Sequence, residues 1–201
     1  MENKDPKKDD RTIPDREDVR HAAQALRSGG VILYPTDTVW GLGCDATNPE
    51  AVAKIYAIKR RAESKSMLTL MRNEAQVERY VREPEEIAFD LMRETVSPLT
   101  VIFDGATGLA PNLVADDGSI GIRIPRERFC EELLRLFPRP VVSTSANVSG
   151  SPAPAFFHEI DPGIAAAVDY VAEYRRDDTT PHRPSSIIKV SKGGVFKILR
   201  K

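Results

Sequence analysis

The sequence predicts an α/β domain, a β-sheet covered by helices. Two observations carry this expectation. Segments with helical apolar spacing alternate with short apolar runs of strand length, and turn chemistry rather than long linkers separates them. The composition, 41% hydrophobic and 29% charged, fits a globular chain with a real core. At 201 residues the chain suits one domain, with no internal repeat and no linker long enough to split it.

Residues 1–12 (MENKDPKKDDRT) read as a disordered charged tail, which leaves 13–201 as the domain. Pro14 and Asp15 open the first helix, with Asp15 as N-cap; Val19, Ala22, Ala23 and Leu26 form its apolar stripe, and Gly29-Gly30 end it. Val31 to Pro35 follows as a buried strand. Asn48 and Pro49 start a second helix with Val52, Ile55 and Tyr56 on one face, running to Lys59. Met67 to Met71 is a candidate strand, and a helix is expected from Glu83 to about Arg93. Leu99 to Phe103 and Ser119 to Ile124 read as strands, and Phe129, Leu133, Leu136 and Phe137 mark another helix. Pro140 to Ser145 begins apolar and ends polar. Beyond a Pro/Ser-rich loop, a helix is expected near 162–168, then two strands, SSIIKV and VFKIL, around a turn at Gly193-Gly194.

Charge and cysteine usage exclude several classes. Lys and Arg number 29 against 30 acidic residues, a formal charge of -1, so this is no histone-like polycation, although a local basic cleft stays open. Two distant cysteines, Cys44 and Cys130, and three scattered histidines, His21, His158 and His182, form neither a disulfide scaffold nor a metal-ligand pattern. The charged start does not read as a signal peptide, and no window approaches the ~18 apolar residues of a membrane span. A cytoplasmic protein with no membrane partner is expected.

Two motif matches are decoys. Gly41-Leu-Gly43-Cys-Asp-Ala46 has the GxGxxA spacing of a dinucleotide site, but Thr36 to Trp40 separate it from the strand and no helix starts until Asn48. It reads instead as a tight loop whose glycines take positive φ or let backbone pass closely. Ser186-Ile-Ile-Lys189 has the SxxK spacing of serine acylases. It lies in a strand pattern, where residues three apart face opposite ways.

The segments that carry chemistry are polar and follow buried strands, where ligands of open α/β sheets bind. Tyr34-Pro-Thr36-Asp37-Thr38-Val-Trp40-Gly41-Leu-Gly43 offers hydroxyls, an aromatic ring and two glycines, suited either to a small polar ligand or to turn chemistry. Lys59, Arg60, Arg61 and Lys65 place four cations in seven positions after a helix C-terminus. They either complement its dipole or bind an anion. Ser143-Thr-Ser145-Ala-Asn147-Val-Ser149-Gly150 can wrap a phosphate or nucleoside, or close a capped turn. Arg183-Pro184-Ser185-Ser186 enters an apolar strand. Arg123, inside the strand GIRIP, must find an anion or reach an edge.

In this order, YPTDTVWGLG, KRRAESKSM, GIRIP, STSANVSG and PSSII resemble the YrdC-type domain of threonylcarbamoyl-AMP synthases, across about residues 14 to 200. The resemblance implies a single YrdC-like domain: a twisted mixed β-sheet flanked by helices, with a cationic cleft. It implies an L-threonylcarbamoyladenylate synthase, a nucleotidyltransferase that takes L-threonine, bicarbonate or CO2 and ATP to threonylcarbamoyl-AMP and pyrophosphate, for tRNA N6-threonylcarbamoyladenosine. Carried over position by position, the catalytic pair is Lys59 and Arg61. Threonine falls to Thr36, Arg61 and Ser185; the nucleotide falls to Lys59, Arg123, Ser143, Ser145 and Asn147. Mg2+ is the implied cofactor, arriving with ATP and held by phosphate oxygens and water rather than a protein cage. The implied partners are tRNA, in direct contact or not, and downstream tRNA threonylcarbamoyl-transfer proteins.

The chain departs from the family pattern in places. Lys59-Arg60-Arg61-Ala62 and Ser66 stand where the family shows Lys-Gly-Arg-Pro and a further Pro. Val96-Ser97-Pro98-Leu99-Thr100 replaces Pro-Gly-Pro-x-Thr, and Pro-Ser-Ser replaces Pro-Ser-Thr. The rival readings are a non-catalytic double-stranded RNA or tRNA-binding module and a carbamoyl-transfer enzyme with another substrate. If Lys59 and Arg61 act only on ligands, replacing either with Ala should remove activity and leave the melting temperature near wild type.

Overall fold

The computed structural model of the chain describes residues 13–60 and 67–201. The tail 1–12 and most of the cationic loop, residues 61–66 with Arg61, lie outside the described residues.

Helix α1 (Arg16–Arg27) starts as its sequence dictates, with the Asp15 carboxylate accepting the Glu17 amide at 2.9 Å. Val19, Ala22, Ala23 and Leu26 are buried. Gly29, at φ +71°, reverses the chain after the helix, and the Gly30 amide bonds back to the Ala25 carbonyl. Strand β1 (Ile32–Tyr34) follows and runs antiparallel to β2 (Gly41–Gly43). Helix α2 (Pro49–Lys59) is capped by Asn48, whose side chain accepts from Glu50 and Ala51, and ends on Arg60 in the left-handed region at φ 48°, ψ 44°. The position where the family pattern has glycine is therefore one whose geometry favours glycine.

The remaining elements are β3 (Leu68–Leu70), α3 (Glu74–Tyr80), α4 (Glu86–Glu94), β4 (Leu99–Phe103), β5 (Ile120–Arg123), α5 (Arg128–Leu136), β6 (Val141–Ser145), α6 (Pro162–Ala166), β7 (Tyr170–Val171), β8 (Ser186–Ser191) and β9 (Val195–Arg200). Nine strands form one mixed sheet in the order β7-β1-β2-β6-β3-β5-β4-β8-β9.

Pairing register decides which side chains share a face, because opposed residues point the same way and neighbours along a strand point opposite ways. Val101, Ile122, Thr69 and Val142 form one row across the middle of the sheet and are buried. Phe103 shares that face, and Phe89 of α4 packs on it with ring centroids 6.3 Å apart. The opposite face carries Gly41 opposed to Ser145, Leu68 to Ser143 and Leu70 to Arg123. At the β1 end this second face is covered by α5, whose Phe129 lies 6.4 Å from the Tyr34 ring. Beyond it, from β2 to β8, the face opens into a cleft.

The structure corrects two sequence expectations and adds two elements. Gly41-Leu-Gly43 is a strand rather than a loop, and neither glycine is among those with positive φ. The close-approach half of that reading holds at Gly43, where a Cβ would sit 2.7 Å from the Tyr34 ring and 2.9 Å from the Val142 carbonyl oxygen. The helix expected from Glu83 begins only at Glu86, because Glu83 has φ +48° and Pro84 follows it. Helix α3 went unread although Asn73 caps it, accepting the Gln76 amide at 3.0 Å. The two-residue strand β7 was too short to leave a periodic signal.

Two predictions follow from the helix ends. Arg60→Gly should relieve a left-handed non-glycine residue and stabilise the protein by up to ~1 kcal/mol, raising Tm by about 2–4 °C; a fall in Tm would mean the Arg60 side chain makes a compensating contact. At α5, Glu127 accepts the Cys130 amide at 2.9 Å, yet burial pushes its carboxyl above the usual range, against those amide bonds and Arg175. Between its unfolded and folded pKa the native state then binds more protons than the unfolded chain, so stability falls as pH rises through that window. The advantage of the wild type over Glu127→Gln should therefore be largest near pH 4 and shrink toward neutrality. Denaturant melts across that range would refute this if the difference stayed constant.

Candidate functional site

The cleft on the open face of the sheet encloses about 360 Å³. Its floor is the second residue set of the central strands: Gly41, Leu68, Thr100, Ile102, Gly121, Arg123, Ser143 and Ser145. Its rims are the Thr38–Val39 turn on one side and Pro184-Ser185 with Arg200 on the other. Hydroxyls dominate the polar lining, and the charged groups among the described lining residues are Arg123 and Arg200.

Arg123 is the buried charge that the sequence required to find an anion. Its side chain is 3% exposed and its Nη2 lies 3.1 Å from Oδ1 of Asp37, itself 11% exposed. The two are close enough for ion pairing, but that oxygen has no hydrogen bond of good geometry, and Nε of Arg123 has none either. A buried guanidinium that the protein pairs only in part keeps its positive charge in the cleft floor, where it favours an anion.

Ser185 is held from three sides. Its hydroxyl lies 2.8 Å from that of Thr100, its carbonyl accepts from Nε and Nη2 of Arg200 at 3.0 and 2.8 Å, and the adjacent Ser186 amide bonds to Pro98. Thr100 and Arg200 are site residues that the sequence reading did not assign. Thr100 carried a signal, as the unchanged residue of an otherwise altered motif. Arg200 carried none, because only the β8–β9 pairing brings it to Ser185.

Lys59 is 1% exposed, the end of α2 turned inward. Its ammonium donates to the carbonyl of Ser145, to that of Asn147 at 2.8 Å and to Oδ1 of Asn147 at 3.3 Å. Ser145 in turn donates to the same Oδ1 at 2.5 Å, and the Asn147 amide reaches the Ser151 carbonyl at 2.6 Å. Lys59 thus braces the loop behind the cleft wall. Thr36 also sits one layer back: its hydroxyl accepts the Thr38 amide at 3.0 Å and lies 2.7 Å from the Val39 carbonyl, while Thr38 and Val39 face the cleft.

Of the residues singled out in the sequence, the structure brings Arg123, Ser143, Ser145 and Ser185 onto the cleft wall. Thr36, Lys59 and Asn147 stand behind it, and Arg61 lies outside the described residues. The SxxK lysine is elsewhere, on β8, where Lys189 pairs with Asp104 at 3.0 Å and Asp117 at 3.3 Å. Among the described residues, no three His, Cys, Asp or Glu side chains cluster as metal ligands, and no helix is long and apolar enough to cross a membrane.

Comparison with known proteins places these features in a family. The profile of the Sua5/YciO/YrdC domain, described as telomere recombination, matches residues 24–201. A threonylcarbamoyl-AMP synthase of Cellvibrio japonicus is 33% identical over 156 residues, covering 77% of this chain and 82% of its own length. One from Bos taurus is 31% identical over 189 residues, 92% of this chain and 67% of its own. The crystal structure of P. abyssi Sua5 complexed with L-threonine superposes with a TM-score of 0.80 at 25% identity, over 90% of this chain; the chain spans 53% of that protein.

The bracing role of Lys59 overturns the expectation that its removal leaves stability untouched. Lys59→Ala strips hydrogen bonds from the Ser145 and Asn147 carbonyls, so it should cost about 3 kcal/mol and lower Tm by about 6–12 °C. A Tm within about 2 °C of wild type would return Lys59 to a role on ligands alone.

Proposed function

The chain belongs to the Sua5/YciO/YrdC family, and from that premise we propose that it is an L-threonylcarbamoyladenylate synthase. The observation that carries the reading is the cleft floor, where the under-bonded guanidinium of Arg123 stands among the hydroxyls of Thr100, Ser143, Ser145 and Ser185. An apolar strip, Leu68, Ile102 and Ile187, runs beside them. Hydroxyls and a guanidinium suit phosphate and carboxylate oxygens, and the strip suits the flat face of a nucleobase.

In this reading the amine of threonine takes up CO2 to give a carbamate and a proton. One carbamate oxygen then bonds to the α-phosphorus of ATP, and the bond to pyrophosphate breaks. Such a displacement needs no covalent nucleophile from the protein; positioning and charge neutralisation supply the rate. Arg123 with Ser143 and Ser145 holds the phosphate oxygens. Lys59 and Asn147 keep that wall in place, Lys59 adding its charge from behind. Arg61 neutralises the threonine carboxylate, and the Thr36–Val39 turn and Ser185 close on the amino acid. Arg123 and Arg200 give the cleft its positive charge among the described lining residues. Mg2+ belongs to the MgATP substrate. The mixed anhydride passes to tRNA threonylcarbamoyl-transfer proteins in the cytoplasm, with or without direct tRNA contact by this chain.

The test is to incubate purified protein with MgATP and bicarbonate, with and without L-threonine, and to follow pyrophosphate and the adduct by mass spectrometry. Threonine-dependent pyrophosphate with threonylcarbamoyl-AMP is the expected outcome, and Arg123→Ala should reduce kcat/KM by about 100-fold or more. Absence of both turnover and threonine binding, with salt-sensitive RNA binding in their place, would sink the reading in favour of a nucleic-acid module.

A further inference from the structure

Arg175 lies in the turn between β7 and β8 at φ +62°, a left-handed conformation that residues other than glycine rarely adopt. The chain is held there from both sides. Upstream, the carboxylate of Asp18 on α1, buried at 4% exposure, accepts the Tyr170 hydroxyl at 2.7 Å and the amides of Glu173 and Tyr174 at 3.0 and 2.9 Å. Downstream, the Asp178 amide closes the turn onto the Arg175 carbonyl at 3.2 Å. Strain of this kind persists where the surroundings over-determine it.

The side chain shows what is gained. Nη1 donates to the Thr36 carbonyl at 3.1 Å, Nε to Asp178 at 2.8 Å, and Nη2 to His182 at 2.5 Å, while Glu127 lies 3.8 Å from Nη1. A guanidinium only donates, and the same Nε2 of His182 also lies 3.4 Å from the Asp178 carboxylate. Burial would raise the Asp178 carboxyl, but bonds from Thr180 and Arg175 outweigh it and hold the group well below the usual range, ionised at neutral pH. The partners of this one fork meet in a small cavity behind the Thr38–Val39 rim, lined by Thr36, Thr38, Val39, Asp178 and His182. Thr36 orders Thr38 and Val39 through its hydroxyl, and His182 is three residues from Ser185.

We infer that Arg175 is a positioning residue for the Thr38–Val39 rim: it ties the Thr36–Val39 turn to the Asp178–His182 segment that leads to Ser185 and thereby tunes affinity for the amino-acid substrate. The consequence for threonine rests on the synthase reading; the consequence for the turn does not. Lysine cannot replace it, because a point charge does not span three acceptors arranged around a planar fork.

The test compares wild type with Arg175→Gly and Arg175→Lys. Glycine tolerates the left-handed backbone, so Arg175→Gly folds without the strain and isolates the loss of the fork. Expected is a KM for threonine, and a threonine Kd, raised about tenfold or more in both variants. kcat and the KM for ATP should stay within about threefold. Amide hydrogen exchange at Thr38 should be about tenfold faster in Arg175→Gly than in wild type. Unchanged threonine constants, or an equal loss across threonine, ATP and kcat, would overturn the inference. Should wild type itself neither bind nor use threonine, the synthase reading falls, and Thr38 exchange decides the rest. Faster exchange upholds the setting of the turn, and unchanged exchange removes it.

Discussion

The alternation of side chains along the central strands is the constraint from which the rest of this structure follows. β4, β5 and β6 must place one residue set into the core and the next onto the cleft floor, so the fold and the site are written in the same few residues. Ile120 and Ile122 bury with the core while Gly121 and Arg123 floor the cleft; Val142 buries while Ser143 and Ser145 face out. A slip of one residue in register would exchange these sets and destroy both at once. Gly43 marks how tightly the arrangement closes, since the Tyr34 ring occupies the place of any side chain there.

Around this floor, two buried cations, Lys59 and Arg123, and the partly buried Arg175 do three different things. Each would cost several kcal/mol to bury without partners, so each dictates the geometry of whatever surrounds it. Lys59 has carbonyl oxygens and fixes the loop behind the phosphate-facing wall. Arg123 has one carboxylate neighbour and a donor left over, which makes it the cation suited to a ligand. Arg175 divides its donors among two loops and a histidine and acts at one remove. The distinction between bracing and receiving charge lies in how many of their donors the protein has already used.

The helix boundaries were legible where side-chain chemistry is local. Asp15 and Asn48 cap the helices they were expected to cap, and Gly29 ends α1. They were illegible where the signal is a backbone state, as at Glu83, or where an element is too short to show a period, as at β2 and β7. The site showed the same division. The sequence marked five segments, and described residues from four of them line the cleft, but nothing in the spacing separated Arg123, in the floor, from Lys59, behind the wall. That depends on which way a helix C-terminus turns its last side chain.

By itself, the sequence determined the class of fold, the order of the main elements, the family and the polar segments that carry chemistry. Those properties rest on short-range periodicity, capping and motif identity, which are encoded within a few residues. Only the tertiary structure decided that Gly41 and Gly43 form a strand, that Asp37 meets Arg123, that Arg200 reaches Ser185 and that Arg175 reaches Thr36 and His182. Each of these joins residues far apart in the chain or depends on a sheet register set elsewhere, and no local pattern records such a pairing.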